Sequence, residues 1–291
     1  MINSSAADDT FAAEIHGADL SRPLDDEAFH AIEDLFNDRG VVFFRDQSLT
    51  PAQLITFGRR FGAVEKHVRQ EYSLDGFPEI HVLSNIKEGE RTIGSAYAGD
   101  MWHSDLCFMK SPSRCSILHA LEIPHDGNNN PLGDTLFASA AESFDDLDDE
   151  TKTFVQAHRG VMQYNRRQEL KRQERLHDHP RPPLTEAQKA KTPDITQPMV
   201  RTHPITGRKA IYVNETYTFG IDGMNDEDAT PILRKLHEHV TRPDRIYRHR
   251  WRVGDVLMWD NCLVQHKAIG DYKLPQRRKM IRVSVSGTEV F

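Results

Sequence analysis

Apolar residues recur along this chain with two periods, and the boundaries between them carry turn chemistry. From Asp25 to Arg39, Phe29, Ile32, Leu35 and Phe36 fall at helical spacing and Gly40 supplies a stop, so the pattern predicts a helix. Residues 41–44, Val-Val-Phe-Phe, follow as a strand. Thr50-Pro51-Ala52-Gln53 then joins a capping box to a proline at the first helical position, opening a second helix through Leu54, Phe57 and Phe61. Both helices are expected to pack outside a sheet and to carry no chemistry.

Further on, residues 80–84, 116–122 and 133–137 read as strands, and 139–158 as one helix with an acidic first half. Acidic side chains early in a helix suit its dipole, so Asp145, Asp146, Asp148, Asp149 and Glu150 need no metal to explain them. Residues 200–203 and 210–213 form a hairpin around Pro204 to Arg208. Residues 214–224 read as a loop in which Tyr217 and Phe219 suit the wall of a pocket. Asn225 caps a helix through Ile232, Leu233, Leu236 and Val240. The last strands are placed at 246–251, 256–259 and 280–286. Short strands with helices at the N-terminus and in insertions predict a mainly β, α+β fold with a jelly-roll, cupin-like double-stranded β-helix core. A single domain over 1–291 is the economical arrangement.

Composition narrows the function. The 291 residues carry a formal net charge of -7 with a pI near 6.1, which argues against a nucleic-acid partner. No apolar leader and no long apolar run is present, and Cys107, Cys115 and Cys262 show no disulfide spacing, so a soluble cytoplasmic protein without membrane attachment is expected. The cysteines read as small buried hydrophobes. Residues 160–198 differ from the rest: Arg166, Arg167, Lys171, Arg172 and Arg175 lead into His177, His179 and a proline-rich stretch. Such a polar insertion reads as a lid or an oligomer contact, and a homo-oligomer is expected. His177-Asp178-His179 reads as solvated surface.

The candidate chemistry centres on Trp102-His103-Ser104-Asp105. Read as a strand, it points an imidazole and a carboxylate two residues apart toward one place. A third ligand is placed at His266, after the run from Gly254 to Asn261. Two histidines and one carboxylate on one face of a metal leave the other face open, the arrangement of non-haem Fe(II) oxygenases. His119 is expected to be structural. His67, alone in a loop-like segment, reads on spacing alone as a surface or packing residue.

This motif does not stand alone. With Gly133-Asp134-Thr135, Trp259-Asp260-Asn261 before His266, then Arg277-Arg278 and Arg282, it resembles the motif series of the taurine and 2,4-D dioxygenase family, in that family's order, over about residues 14 to 288. The resemblance implies an enzyme dependent on Fe(II), 2-oxoglutarate and O2 that hydroxylates an aliphatic C–H of a small organic anion, aryloxyalkanoate- or sulfonate-like. It implies His103, Asp105 and His266 as iron ligands, Thr135 and Arg278 on the carboxylates of 2-oxoglutarate, Trp259 in the same pocket, and Arg282 nearer the iron and the substrate's anionic group. One extra residue between His266 and Arg278 makes Arg277 an alternative to Arg278. His67 resembles the substrate-binding histidine of taurine enzymes, and Leu106, beside Asp105, is a further substrate candidate. Arg282 and His67 are expected to put positive charge beside the metal. Two rival readings use the same ligands: a zinc hydrolase, and a non-catalytic jelly-roll binding protein.

Overall fold

The computed structural model describes all residues except 1, 8, 9, 90, 97 and 175–181, so His177-Asp178-His179 lies outside the described residues. Its frame is an eight-stranded sheet in the order Asn3–Ala6, Ala12–His16, Val41–Phe44, Val256–Asp260, Ser113–Glu122, Lys279–Ser286, Phe77–Ser84, Ser73–Leu74. All neighbours run antiparallel except Ala12–His16 and Val41–Phe44, which are parallel. A second, three-stranded antiparallel sheet of Ile246–His249, Thr135–Ser139 and Val264–Ala268 packs against it.

The period of two in the major sheet sorts its side chains into two cores. Val41, Phe43, Leu118, Ala120, Leu257 and Trp259 face the minor sheet and meet Phe137, Tyr247 and Val264. The alternate residues Val42, Phe44, Ile117, Val256, Met258, Ile281 and Val283 face the other way, onto the N-terminal helices. Those helices are Asp26–Arg39, capped by Asp25 and closed by Gly40 at φ 74, and Pro51–Arg59, with the expected capping box at Thr50. Phe29, Ile32, Phe36, Leu54 and Phe57 form their buried stripe. This is the jelly-roll with flanking helices that the pattern predicts.

Three elements differ from expectation. Residues 139–158 form two helices, Ala140–Asp145 and Asp149–Ala157, because Asp148 turns back to accept from the Thr151 N–H and caps a new start. The 214–224 loop contains a strand, Thr218–Ile221, and the strand Val264–Ala268, which carries His266, has no apolar alternation to announce it. Within the described part of the polar insertion, Arg159–Met162 pairs with Ile195–Pro198 and Thr218–Ile221, and helices Tyr164–Glu174 and Glu186–Lys191 lie between. Met162, Tyr164 and Leu184 pack on Leu106, Cys107 and Phe108, which ties the insertion to the segment that follows Asp105. Among the described residues no helix is long and apolar enough to cross a membrane.

Helix Asp226–Val240 buries Ala229, Leu233, Leu236 and Val240, with His237 on its flank. Burial pushes His237 down to about 4, and its Nε2 has no hydrogen-bond partner among the described residues. A base whose pKa falls on folding stabilises the fold above its unfolded value, and that share is lost as pH drops from there toward the folded value. Replacing His237 with Leu is therefore expected to remove about 2 kcal/mol of acid sensitivity between pH 7.5 and pH 5, read from urea unfolding at both pH values. A variant whose stability profile stays parallel to the parent's would show that this ring does not couple protonation to folding.

Candidate active site

His266, on strand Val264–Ala268, and His103 form an isolated antiparallel bridge: the His103 N–H donates to the His266 carbonyl at 3.1 Å and the His266 N–H to the His103 carbonyl at 2.8 Å. Residues 102–105 are thus not the expected strand. After the one bridge the chain turns, with Leu106 at φ 54, and the Asp105 N–H donates to the Asn261 side-chain oxygen at 3.0 Å instead of to a neighbouring strand. The His103–Asp105 convergence survives because a side chain, not a ladder, pins Asp105.

The His103, Asp105 and His266 ligand atoms lie within 4.8 Å of one another, and all three residues are buried. His103 Nε2 is 3.6 Å from Asp105 Oδ1 and His266 Nε2 is 3.9 Å from Asp105 Oδ2. His103 Nδ1 is 2.8 Å from the Met101 carbonyl, which can only accept, so Nδ1 carries a proton and Nε2 is the ring atom turned toward the carboxylate. Burial, with His103 beside it, holds His266 well below the usual histidine range. Burial alone would raise the Asp105 carboxyl, but Arg282, then His266 and His103, hold it well below the usual carboxylate range. Two imidazole rings and a carboxylate thus converge on one point. That is the donor set of a divalent first-row metal, and it fits Fe(II).

Asp105 is held from behind. Ser116 Oγ donates to Oδ2 at 2.6 Å, and Arg282 Nη1 donates to Oδ1 at 3.0 Å and Oδ2 at 3.2 Å. Asn261 accepts from Trp259 Nε1 as well as from Asp105, and its amide reaches Ser116. The Trp259 ring lies 4.6 Å from that of His266. Ser116 was not singled out from the sequence, and Asn261 entered only as a member of the Trp259-Asp260-Asn261 motif, without a role. A polar residue beside a tryptophan and a serine inside an apolar strand carry no signal that names their partner.

One cavity joins this cluster to the other candidates: Thr135, Arg278, Arg282, Trp259, His67 and Leu106 all line it. Arg278 is buried, has no carboxylate partner among the described residues, and leaves its Nε unbonded. Gly133, at φ 77, makes room for it, since a Cβ there would sit 3.0 Å from Arg278 Nε. Arg277, by contrast, is exposed and paired with Glu122 at 2.9 Å. Thr135 Oγ accepts from Trp251 Nε1 at 3.0 Å, so its own proton is left to donate. His67 does not add the positive charge expected of it: burial, then Arg282, pushes it down to about 3, and the neutral ring packs 4.1 Å from His81. The insertion also supplies wall, through Tyr164, Arg167, Gln168 and Lys171. The three cysteines are buried and free, and burial pushes the Cys107 thiol up to about 12. A second group, His203, Asp260 and Cys262, is structural: His203 Nδ1 accepts two backbone N–H groups, so Nε2 donates to Asp260 at 3.0 Å.

A family model described as taurine catabolism dioxygenase TauD, TfdA family matches residues 3–284. The chain is 30% identical over 285 residues to an alpha-ketoglutarate-dependent 2,4-dichlorophenoxyacetate dioxygenase of Cupriavidus pinatubonensis, covering 94% of each. It is similar to the crystal structure of a taurine dioxygenase from Burkholderia xenovorans, with a TM-score of 0.79, 29% identity, and coverage of 98% of this chain and 89% of that one. It is also similar to the crystal structure of AAD-2 in complex with Mn(II) and N-oxalylglycine, with a TM-score of 0.79, 28% identity, and coverage of 100% and 99%.

The Ser116 hydroxyl is the shortest hydrogen bond to Asp105, and groups that orient a ligand from behind typically govern metal affinity by about 10- to 100-fold. Ser116→Ala is expected to weaken Mn(II) binding by about that factor, measured by electron paramagnetic resonance titration. Unchanged affinity would remove Ser116 from the metal-orienting role.

Proposed function

The chain belongs to the taurine catabolism dioxygenase TauD, TfdA family, and on that footing we propose a role for each residue around the cavity. The protein is a 2-oxoglutarate-dependent non-haem iron dioxygenase. His103 and His266 supply neutral nitrogen ligands and Asp105 the anionic one. The observation that carries this is the convergence of three buried ligand-type side chains on one point, beside a cavity holding an arginine without a carboxylate partner among the described residues. The zinc-hydrolase and scaffold readings are set aside, because the curated relative is an alpha-ketoglutarate-dependent dioxygenase matched along 94% of both chains.

When bound, iron and 2-oxoglutarate supply the oxidising power: O2 is consumed, 2-oxoglutarate becomes succinate and CO2, and one oxygen atom enters a substrate C–H bond. The chain's own residues place and enclose the reactants. Arg278 takes the distal carboxylate of 2-oxoglutarate, with Thr135 donating its hydroxyl proton and Trp251 holding the hydroxyl oxygen so that it must. Gly133 gives that guanidinium its place. Trp259, Phe137 and Leu106 exclude water around His266 and Asp105. Arg282 neutralises Asp105 from one side and faces the cavity, where it attracts an anionic substrate. His67 adds a neutral donor: its Nδ1 accepts from the Arg69 N–H, which leaves the proton on Nε2.

The primary substrate is a small organic anion of the aryloxyalkanoate or sulfonate class. The support is Arg282 at the cavity wall and the names of similar proteins, a 2,4-dichlorophenoxyacetate dioxygenase and a taurine dioxygenase. If the hydroxylated carbon bears an ether oxygen or a sulfonate, the product falls apart and hydroxylation registers as cleavage. Residues 1–291 act as one domain, with Tyr164, Arg167, Gln168 and Lys171 of the 160–198 insertion on the wall of the cavity.

Adding Fe(II) and 2-oxoglutarate without oxygen is expected to produce a visible charge-transfer absorption, and His103→Ala is expected to abolish both that band and succinate formation. Full turnover by His103→Ala would remove the ligand assignment. Arg278→Gln is expected to raise the KM for 2-oxoglutarate by about 100-fold, the scale of a buried charge-assisted pair, whereas Arg277→Gln changes it less than twofold. The reverse order would move the carboxylate contact to Arg277.

A further inference from the structure

Residues 99–101 hold the His103 ring from two sides. The Met101 carbonyl accepts from Nδ1 at 2.8 Å, and Gly99, at φ 75, brings its backbone so close that a Cβ there would stand 3.0 Å from Cε1. A partner on the second ring nitrogen fixes the orientation of a ligating histidine, so this short stretch governs where Nε2 points. The stretch itself is neither helix nor strand. Backbone bonds fix its flanks: the Gly99 carbonyl accepts from the Ala268 N–H at 2.7 Å, and the Trp102 carbonyl from the Thr216 N–H at 3.2 Å. Between those flanks, Asp100 reaches out with its side chain.

Asp100 Oδ1 lies 2.6 Å from Lys171 Nζ and 4.0 Å from Arg167 Nη2. Both cations are buried and belong to helix Tyr164–Glu174. That helix is anchored on its own account, with the Tyr164 ring 4.1 Å from Phe108 and 6.0 Å from Tyr217. Arg167 is also met by Glu174 at 3.0 Å. Each cation thus has its carboxylate, and the arrangement serves geometry rather than the charge of a ligand. Lys171 joins an anchored helix to the stretch whose carbonyl orients His103. An ion pair with a buried member is screened less than one on the surface, so it can carry that load.

We propose that Lys171 and Asp100 are positioning residues of the metal site: their ion pair holds residues 99–101 so that the Met101 carbonyl keeps His103 Nε2 aimed at the point shared with Asp105 and His266. This rests on the dioxygenase reading above and adds to it the residues that set one ligand. The polar insertion is then part of the metal centre without supplying a ligand to it.

Charge alone and positioning predict opposite signs at Lys171, which lines the same cavity as His103. Removing a positive charge near a cation site tightens cation binding by Coulomb's law, whereas releasing Asp100 loosens it. In the full chain, Lys171→Met is expected to weaken Mn(II) binding about fivefold, read by electron paramagnetic resonance, while Lys171→Arg, which keeps the pair, stays within about twofold of the parent. Asp100→Asn is expected to weaken binding as well, and the double variant no further than Asp100→Asn alone, because Lys171 acts through Asp100. Arg172→Gln breaks the pair with Glu169 on the same helix and is expected to leave the affinity unchanged. A second readout needs no metal. In protein labelled with 15N-histidine, the parent is expected to show a slowly exchanging proton on His103 Nδ1, and Lys171→Met and Asp100→Asn to lose it. Tighter or unchanged Mn(II) binding by Lys171→Met overturns the proposal, as do additive losses in the double variant or a loss as large for Arg172→Gln. So does a His103 Nδ1 proton that neither substitution alters. Failure of the underlying dioxygenase reading shows separately, as no Mn(II) binding by the parent, and the ring measurement then decides the role of the pair by itself.

Discussion

The pair of backbone hydrogen bonds between His103 and His266 is the constraint on which the site depends. Two residues that exchange both N–H···O=C bonds in an antiparallel bridge hold their Cα atoms opposite one another and their side chains on one face. Their imidazole rings consequently lie with centroids 4.2 Å apart before any metal arrives. Everything else adjusts to this clasp. The chain leaves the bridge at Ser104, turns through the left-handed Leu106, and returns Asp105 to the same point under the grip of Asn261 and Ser116. Gly99 is required for the same reason, since a Cβ there would stand 3.0 Å from the His103 ring.

Charge is arranged around the clasp with equal economy. A buried carboxylate between two histidines would be protonated by its surroundings if burial acted alone, and a protonated Asp105 is a poor ligand. Arg282 prevents this, and it does so from within the cavity, so one guanidinium both keeps the ligand ionised and marks the cavity for anions. Arg278 has the complementary position. It stands near the Gly133 carbonyl and over the Tyr272 ring with no carboxylate among the described residues to meet it. A cation in that state is costly to bury, and a bound dicarboxylate is the natural compensation.

Features with local causes were legible in the sequence. Asp25, Gly40, the Thr50–Gln53 box and Asn225 act on their own backbone within a few residues, and the structure has each helix boundary they announce. The strands at 41–44, 80–84, 116–122, 256–259 and 280–286 were legible too. What failed had causes elsewhere in the chain. The His-x-Asp spacing suggested a strand because it matches a period of two, yet Asp105 is placed by Asn261, far along the chain. Strand Val264–Ala268 is short, and Gln265 and Lys267 interrupt its apolar residues, so only its pairing with Thr135–Ser139 defines it. The break after Asp145 was hidden because the acidic residue that caps the second helix looks, in sequence, like one more member of an acidic run. The two arginines at 277 and 278 were indistinguishable until the sheet turned one outward to Glu122 and the other into the cavity.

Arg167 and Lys171 belong to a run that reads as a lid or an oligomer contact, because a helix of such polarity has no apolar stripe to bury. Its docking uses other forces: Tyr164 packs on Phe108, and the two cations reach Asp100, a residue just ahead of Met101 and the His103 clasp. Helix and ligand cluster are thus tied to the same short segment, from Asp100 to Phe108, at both of its ends. The contacts of this helix also include the Tyr217 ring and the apolar cluster around Leu106 and Cys107. The polarity that disqualifies it as a core element is what places two cations against Asp100 on the wall of the cavity.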